Sequence, residues 1–198
     1  STRVRSSAAS DVYKRQEPIR ETAPEKGNSN YADLKMTSEK IMQKEFKKSE
    51  TIPVIARVAP IYDAEYTQNL RDRVFDAKEN VAYIFNDGEY GFSFCCVFNL
   101  IDFINGIINV PSGRYEGIYN LADSRLITAK EIIDYEKEHH RIGAVIQKSP
   151  GMGLSINKGK MKTDYRYFDP SITFNNWNID NTRAKRIAPF RWTLSNTK

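Results

Sequence analysis

The sequence predicts an α/β fold in which helices cover a largely parallel β-sheet. Apolar residues recur at helical spacing in residues 31–48 and 128–139, and short runs with strand character, such as residues 53–59 and 117–122, lie between the helical segments. Alternating helices and strands are typical of parallel sheets, because parallel neighbours need a crossover connection. A chain of this length with 40% hydrophobic residues can bury the core of one domain or a large part of two.

The first sixteen residues are treated separately from the fold. Residues 6–16, SSAASDVYKRQ, resemble the translation of a transposase-type sequencing adapter, so we expect residues 1–16 to be non-native and disordered. This segment holds four basic residues and one acidic residue, and therefore contributes +3 of the formal net charge of +5. The remaining residues, 17–198, are close to neutral, and their composition does not indicate a nucleic-acid partner.

The two cysteines, Cys95 and Cys96, are adjacent in an apolar run. Adjacent cysteines do not build a disulfide framework, so we expect a reducing compartment, a cytoplasmic protein and two thiols buried in a strand. No apolar run approaches the roughly 18 residues that cross a bilayer, and no membrane partner is expected.

The first native segments predict a loop, a helix and a strand. Residues 17–30 contain two prolines, a glycine and no periodicity, and predict an exposed loop. Tyr31 to about Lys48 predict a helix, with N-cap candidates at Asn28, Ser29 and Asn30. The apolar positions that fall on one face of this helix are Leu34, Ile41, Met42 and Phe46. Residues 53–59, PVIARVA, predict a buried strand, which Pro60 ends.

The middle of the chain predicts a short helix, two strands and a buried helix. Residues 69–76 favour the short helix, and residues 81–85 and 92–98 favour strands on either side of the turn Asn86-Asp87-Gly88. Residues 99–109, NLIDFINGIIN, are apolar on most of their circumference, which predicts a buried helix.

The last third predicts two strands and two helices. Residues 117–122 indicate a strand, and Thr128 is placed to cap a helix that runs to about His139. Residues 142–147 indicate another strand. Residues 180–187 predict a short final helix, whose candidate caps are Asp180, Asn181 and Thr182.

Tyr31 and Lys35 are the residues whose spacing indicates chemistry. Residues four apart on a helix lie on one face, so the phenol and the ammonium come together. A nearby positive charge favours tyrosinate and lowers the pKa of a phenol toward the range of a general acid or base. The spacing alone is common, and the same two residues also fit a packing tyrosine beside a solvated lysine.

Six segments form a more specific pattern because of their order: PIRETAP, YADLKMTSEKIMQKEF, ARVAPIYD, NDGEYGFSFCCVFNLIDFI, GIYNLADSRLITAKEI and NIDNTRAKRIAPFRW. In this order they resemble the extended short-chain dehydrogenase/reductases, a group that includes NAD-dependent nucleotide-sugar epimerases and dehydratases. The resemblance covers nearly all of residues 17–192. It implies that residues 17–198 are the C-terminal part of a Rossmann-like, doubly wound parallel sheet, interleaved with a smaller α/β substrate domain.

The resemblance also implies roles for individual residues. Tyr31 would be the catalytic acid/base, and Lys35 would lower its pKa and bind the nicotinamide ribose. The backbone at Val58, Ala59 and Pro60 would lie beside the nicotinamide, at the carboxyl edge of the sheet. The implied cofactor is NAD or NADP, the partner is a small-molecule substrate, and the full-length protein would form a homodimer through the Tyr31 helix.

Some features of the family pattern are not found. The glycine-rich phosphate loop and the Ser or Thr that orients the substrate are absent from residues 17–198, and Gly151–Gly153 do not replace the loop. We therefore expect the chain by itself to be inactive. Phe92 and Pro60 occupy places where sugar-nucleotide enzymes often have Arg and Asn, so a nucleotide sugar and a less polar alcohol or carbonyl both remain open as substrates. The alternative function is a non-catalytic nucleotide- or metabolite-binding protein.

Other candidate sites are weaker. Arg114, Arg125 and Arg166 are candidates for phosphate contacts, but also fit exposed surface positions. His139 and His140 diverge on a helix without a third ligand, so no metal site is expected. The aromatic residues within 165–177 fit packing better than nucleic-acid stacking.

Overall fold

The computed structural model describes residues 18–23, 30–50, 52–76, 80–110, 115–148 and 178–197. Several sequence predictions lie outside these residues: the adapter-like segment 1–16, the Gly151–Gly153 segment, Arg114, Arg166 and the aromatic residues of 165–177. Within the described residues, no helix has both the length and the apolar content that crossing a bilayer requires.

Helices and strands alternate along the described chain. In order they are α1 Asn30–Phe46, β1 Val54–Val58, β2 Ile61–Tyr62, α2 Gln68–Arg71, β3 Phe75–Asp76, β4 Val81–Phe85, β5 Gly91–Phe92, β6 Cys95–Cys96, α3 Val97–Ile108, β7 Gly117–Leu121, β8 Ile127–Thr128, α4 Ala129–Glu138, β9 Ala144–Lys148 and a 3-10 turn at Ala184–Arg186.

The longer strand pairs are parallel, which confirms the predicted α/β class. β1 pairs with β7 from Val54 opposite Gly117 to Val58 opposite Leu121, and β4 pairs with β9 over five residues. The two-residue strands β2 and β6 are also parallel. The antiparallel pairs, β3 with β4 and β5 with β8, are short. In each five-residue pair, at least one helix lies between the two strands in the chain, as parallel crossovers require.

Helix α1 begins at Asn30, one residue before the predicted start, and ends at Phe46, two residues before the predicted end; it contributes no buried residue. The cap candidates Asn28 and Ser29 lie outside the described residues. The predicted apolar face is largely open to solvent, with Leu34 64%, Ile41 57% and Met42 45% exposed. The periodicity therefore identified the helix and its apolar face, but within the described residues nothing covers that face.

The prediction of one strand over 92–98 is wrong. Phe92 belongs to β5, which pairs with β8, whereas Cys95 and Cys96 form β6 beside β2 and Val97 begins α3. A continuous apolar run does not distinguish a buried strand from a buried helix. The pattern therefore gave no sign that a helix begins within these residues. The predicted turn is present, with Gly88 at φ +77° and its N–H donating to Phe85 O at 3.0 Å. However, the strands on either side of it pair with different partners.

Two predicted helices are shorter than expected. Of residues 69–76, only those up to Arg71 are helical, because Phe75 and Asp76 pair with β4. The helix predicted over 180–187 is reduced to the 3-10 turn. The Asp180 carboxylate accepts from the Thr182 N–H at 2.8 Å, which makes a local turn upstream of the 3-10 segment.

Two further elements are less buried than predicted. Strand β1 is only partly buried, and Val58 is 37% exposed. Among the described residues only β7 pairs with β1, so one edge of β1 is uncovered. Helix α3 buries Asn99 and Phe103 but exposes the side chains on its other face, which are Ile101, Ile104 and Ile108.

Other elements match their predictions closely. Strand β4 has the predicted bounds, and β7 ends one residue early, at Leu121. Thr128 caps α4 through a capping box, in which its hydroxyl accepts from the Glu131 N–H at 3.1 Å and its own N–H donates to Glu131 Oε2 at 2.8 Å. Strand β9 begins at Ala144 and ends at Lys148, shifted from the predicted 142–147.

A buried polar cluster around Asp123 joins the two apolar cores, one beneath α4 and the other beneath α3. Three donors reach the carboxylate: the Tyr62 hydroxyl at 2.6 Å, the Cys96 N–H at 2.8 Å and the Asn99 amide at 2.8 Å. Asn99 also exchanges two bonds with the Trp192 backbone, at 2.8 and 3.0 Å. Strands β2 and β6, helix α3 and the C-terminal segment therefore meet at one carboxylate.

The two thiols are buried beside this cluster, as predicted. Cys95 and Cys96 are fully buried and unpaired, and burial raises the pKa of both groups. A thiol with a raised pKa is a poor nucleophile near neutral pH, so these cysteines are packing residues.

A buried ion pair attaches α4 to α2. The Glu136 side chain is fully buried, and its Oε2 lies 2.7 Å from Arg71 Nη1 and 3.8 Å from Arg141 Nε. Its Oε1 has no hydrogen-bond partner. Breaking such a pair by removing one partner is costly, because it leaves the other charge buried.

The Asp123 cluster predicts a specific pH dependence of stability. Burial raises the pKa of Asp123, and its hydrogen bonds only partly oppose this rise. The folded state therefore binds more protons than the unfolded state between the ordinary carboxyl value and the raised one, and the free energy of unfolding falls as pH rises through that window. Asp123→Asn removes this titration, so urea unfolding at several pH values should show a wild-type advantage that shrinks with rising pH by about 1.4 kcal/mol per unit of the pKa rise.

The exposed Asp134 provides the control for this experiment. Asp134→Asn should leave the pH slope of the wild-type protein unchanged. Parallel pH profiles for the wild-type protein and Asp123→Asn would contradict the assignment of the slope to Asp123.

Candidate active site

A cleft of about 730 Å³ lies between α1 and the open edge of β1. Five of the residues that line it are consecutive, Ile55 to Ala59. Successive side chains of a strand point to opposite faces, so a cleft that touches every residue in turn must run along the edge of the strand. The remaining lining residues are Ile19, Tyr31, Lys35, Ser38, Glu39, Met42, Asn120 and Ile179.

The structure brings four of the five predicted site residues into this cleft. Tyr31 and Lys35 enter from α1, and Val58 and Ala59 enter from the carboxyl end of β1. Ligands of open α/β sheets bind outside the carboxyl ends of the strands, and Val58 and Ala59 lie at that end of β1. Pro60 does not line the cleft; its carbonyl accepts from the Cys95 N–H at 3.0 Å and so faces β6.

Tyr31 and Lys35 are close to one another in the first two turns of α1. Lys35 Nζ lies 5.5 Å from the centroid of the Tyr31 ring, as the i, i+4 spacing predicted. Tyr31 is 70% exposed, so its hydroxyl is accessible to a ligand in the cleft. The arrangement places an accessible hydroxyl and a positive charge side by side at the cleft.

Arg57 and Glu39 form a bidentate ion pair on the wall of the cleft. Arg57 Nε donates to Glu39 Oε2 at 3.0 Å, and Nη2 donates to Oε1 at 2.6 Å. Arg57 Nη1 also donates to the Glu21 carbonyl at 3.0 Å. The sequence interpretation noted both residues only as parts of the family resemblance. The available signal was a single charge in the otherwise apolar run PVIARVA.

Asn120 holds the residues before α1 against the cleft. Its side-chain amide donates to the Ile19 carbonyl at 3.0 Å, and its backbone N–H donates to Glu21 Oε1 at 3.0 Å. Ile19 in turn forms a parallel bridge with Ile179. Residues 18–23, predicted as an exposed loop, are therefore partly anchored by backbone and side-chain bonds.

The weaker candidates lie away from the cleft. Arg125 pairs with Glu131 at 2.6 Å on the surface. Phe92 is buried between the rings of Tyr90 and Phe94, so it faces the core. His139 contacts the Tyr135 carbonyl at 2.7 Å. Within the part of the chain that the structure describes, no group of His, Cys, Asp and Glu is arranged to hold a metal ion.

Neither a protein-family profile nor a curated protein matches this sequence. Solved structures do match it. One match is a UDP-glucuronic acid 4-epimerase from Bacillus cereus, in complex with NAD. Its TM-score is 0.63 at 15% identity, and the match covers 94% of this chain and 55% of the epimerase chain. A short-chain dehydrogenase/reductase superfamily protein from Agrobacterium tumefaciens with bound NAD has a TM-score of 0.57 at 14% identity, covering 93% and 60%.

A third match is a dTDP-glucose 4,6-dehydratase from Bacillus anthracis, in complex with NAD. Its TM-score is 0.55 at 16% identity, and the match covers 93% of this chain and 53% of the dehydratase. The chain thus spans a little more than half the length of these structures. The likenesses show that it has the Rossmann-like α/β fold of these proteins, which confirms the fold expected from the six sequence segments.

The anchoring of residues 18–23 by Asn120 can be tested directly. Asn120→Ala removes the bond to the Ile19 carbonyl, which is worth about 1 kcal/mol. We expect the amide protons of Ile19 and Asp180, which bond to Asn178 and Ile19 across the bridge, to exchange roughly fivefold faster. Hydrogen exchange followed by NMR measures both amides.

Asn109→Ala is the matched control, because this amide donates to a carbonyl within its own helix. It should leave the exchange of Ile19 and Asp180 unchanged. Equal exchange rates in Asn120→Ala and the wild-type protein would show that other contacts hold this segment.

Proposed function

We propose that the chain is the C-terminal portion of an NAD(P)-dependent epimerase, dehydratase or reductase that acts on a hydroxyl or keto carbon. The observation that carries this proposal is the meeting of Tyr31 and Lys35 with Val58 and Ala59 in one cleft at the carboxyl end of β1. The fold likeness to NAD-bound epimerase and dehydratase structures, of which this chain covers 55% and 53%, supports it. Residues 17–198 would then combine part of the cofactor domain with the substrate domain.

In this proposal Tyr31 is the acid/base and Lys35 is its electrostatic partner. The Tyr31 hydroxyl gives a proton to a carbonyl oxygen or takes one from a hydroxyl, and the adjacent ammonium stabilises the phenolate. Lys35 would also hold the ribose of the cofactor. NAD or NADP supplies the hydride acceptor or donor when bound.

The residues of the cleft fit a nicotinamide cofactor in size and chemistry. A volume of about 730 Å³ lies within the usual range of small-molecule pockets, and the small side chains of Ala56 and Ala59 leave room beside the strand. Lys35 supplies the polar donor that such apolar sites use to orient a ligand. The backbone of Val58 and Ala59 would line the ring, with Pro60 behind it.

We propose a nucleotide sugar as the first substrate class to test. Its support is that several matching structures are UDP- or dTDP-sugar enzymes. The buried Phe92 argues for the other class, because the aromatic ring leaves no arginine for a pyrophosphate at that place. A less polar alcohol or carbonyl is therefore the second class.

We also propose that the full-length protein is a cytoplasmic homodimer that pairs through α1. The free cysteines support the compartment. Leu34 and Ile41 support the interface, because an exposed apolar helix face is a common site of association. Light scattering with size exclusion should give twice the protomer mass, and Ile41→Lys should shift it toward the monomer. A wild-type monomer at micromolar concentration contradicts this part of the proposal.

Tyr31→Phe tests the catalytic role in the full-length enzyme. Loss of the hydroxyl removes the proton transfer, and we expect turnover of the nucleotide sugar to fall at least about 100-fold while NAD(P) affinity is retained. Turnover is followed by NMR of the sugar, and cofactor binding by calorimetry. Tyr66→Phe, at an exposed tyrosine outside the cleft, is the control and should be neutral.

Retained turnover in Tyr31→Phe would remove Tyr31 from its role. A wild-type protein that binds NAD(P) but converts no alcohol, ketone or nucleotide sugar would instead indicate the non-catalytic binding function.

A further inference from the structure

We propose that Arg57 and Glu39 are positioning residues, whose ion pair fixes the Tyr31–Lys35 turn of α1 over the carboxyl end of β1. This inference rests on the proposed function for the roles of Tyr31 and Lys35. Its structural part, the orientation of α1, stands on the contacts of the ion pair alone.

The packing of α1 explains why an ion pair is needed to orient this helix. The helix has 17 residues, none of them buried, so apolar burial holds it weakly. The side-chain bonds of Ser38 and Gln43 remain within the helix. The Glu39 carboxylate instead reaches out of the helix to Arg57, so this bond ties α1 directly to β1.

The geometry of the pair is well suited to fixing an orientation. The guanidinium and the carboxylate make two parallel bonds, at 3.0 and 2.6 Å, and such a fork defines an angle as well as a distance. The side chains are only 26% and 13% exposed, which sets this pair apart from a solvated surface ion pair.

Each partner of the pair is held by another contact. Gln43 Nε2 donates to Glu39 Oε1 at 3.0 Å, which orients the carboxylate from within α1. The Glu21 carbonyl accepts from Arg57 Nη1 at 3.0 Å, which orients the guanidinium from the segment before α1. The ion pair therefore joins three parts of the cleft wall: α1, β1 and residues 18–23.

The location of the ion pair allows it to control the position of the proposed acid/base. Glu39 lies one helical turn beyond Lys35 and two beyond Tyr31, on the same face of α1. Arg57 immediately precedes Val58 in β1. Rotation or sliding of α1 about this contact would move the phenol and the ammonium together, relative to the strand end that lines the cleft.

The structural test measures the orientation of α1 in the protein itself. Spin labels at Thr37→Cys and Glu138→Cys report the separation of α1 from α4, because both positions are exposed and the native cysteines are fully buried. Pulsed electron resonance should give a narrow distance distribution in the wild-type background. Arg57→Lys keeps the charge but loses the fork, and should at least double the width of the distribution.

The kinetic test uses the full-length enzyme with the same substitution. Misplacing a catalytic group by about 1 Å can cost about 100-fold, so Arg57→Lys should lower kcat between roughly 10- and 100-fold with KM changed less than about threefold. The reversed pair, Glu39→Arg with Arg57→Glu, should recover part of kcat and narrow the distribution again. If Arg57 or Glu39 acted independently of the other, exchanging the two residues would not recover kcat.

Arg71→Lys provides the matched control, since Arg71 and Glu136 form an ion pair of similar length, 2.7 Å, outside the cleft. It should lower stability without changing kcat. An unchanged distribution in Arg57→Lys, or an equal loss of kcat in Arg71→Lys, overturns the inference. If the wild-type enzyme shows no turnover, the proposed function fails, and the label distances still decide whether the pair orients α1.

Discussion

The parallel pairing of β1 with β7 is the constraint on which the other parts of the site depend. Because the strands run in the same direction, Val58 and Leu121 end side by side, and the residues that follow them emerge at one edge. Next to α1, the residues at the carboxyl end of β1 line the cleft. Beyond β7, the chain turns inward to Asp123, whose carboxylate gathers donors from β2, β6 and α3. The cleft and the buried polar cluster are thus two results of one pairing.

Several local signals in the sequence predicted their elements correctly, whereas periodicity did not predict which distant strands pair. The capping box at Thr128, the bounds of β4 and the start of α1 follow from residues within a few positions of one another. The division of residues 92–98 into β5, β6 and the start of α3 depends on which distant strand each part meets. The local pattern of residues does not indicate a pairing partner such as β8, which lies more than thirty residues away in the chain.

The same distinction holds within the candidate site. Tyr31 and Lys35 were found because helical spacing brings them together whatever the tertiary structure is. Val58 and Ala59 were assigned through the family resemblance, which supplied the nonlocal information that periodicity lacks. The Arg57–Glu39 pair joins residues 18 apart in the chain. Its signal, one arginine in an apolar strand, shows that a partner is needed but does not say where that partner lies.

The open edge of β1 has a consequence for how the chain behaves at high concentration. Within the described residues β1 pairs with β7 alone, so its other edge presents backbone donors and acceptors that no strand satisfies there. Such an edge is a template for pairing with another strand, and proteins commonly protect it with a charged side chain. Arg57 occupies that place in β1. By this rule, loss of the Arg57 guanidinium is expected to promote strand-to-strand aggregation, which would give the ion pair a second role, in colloidal solubility.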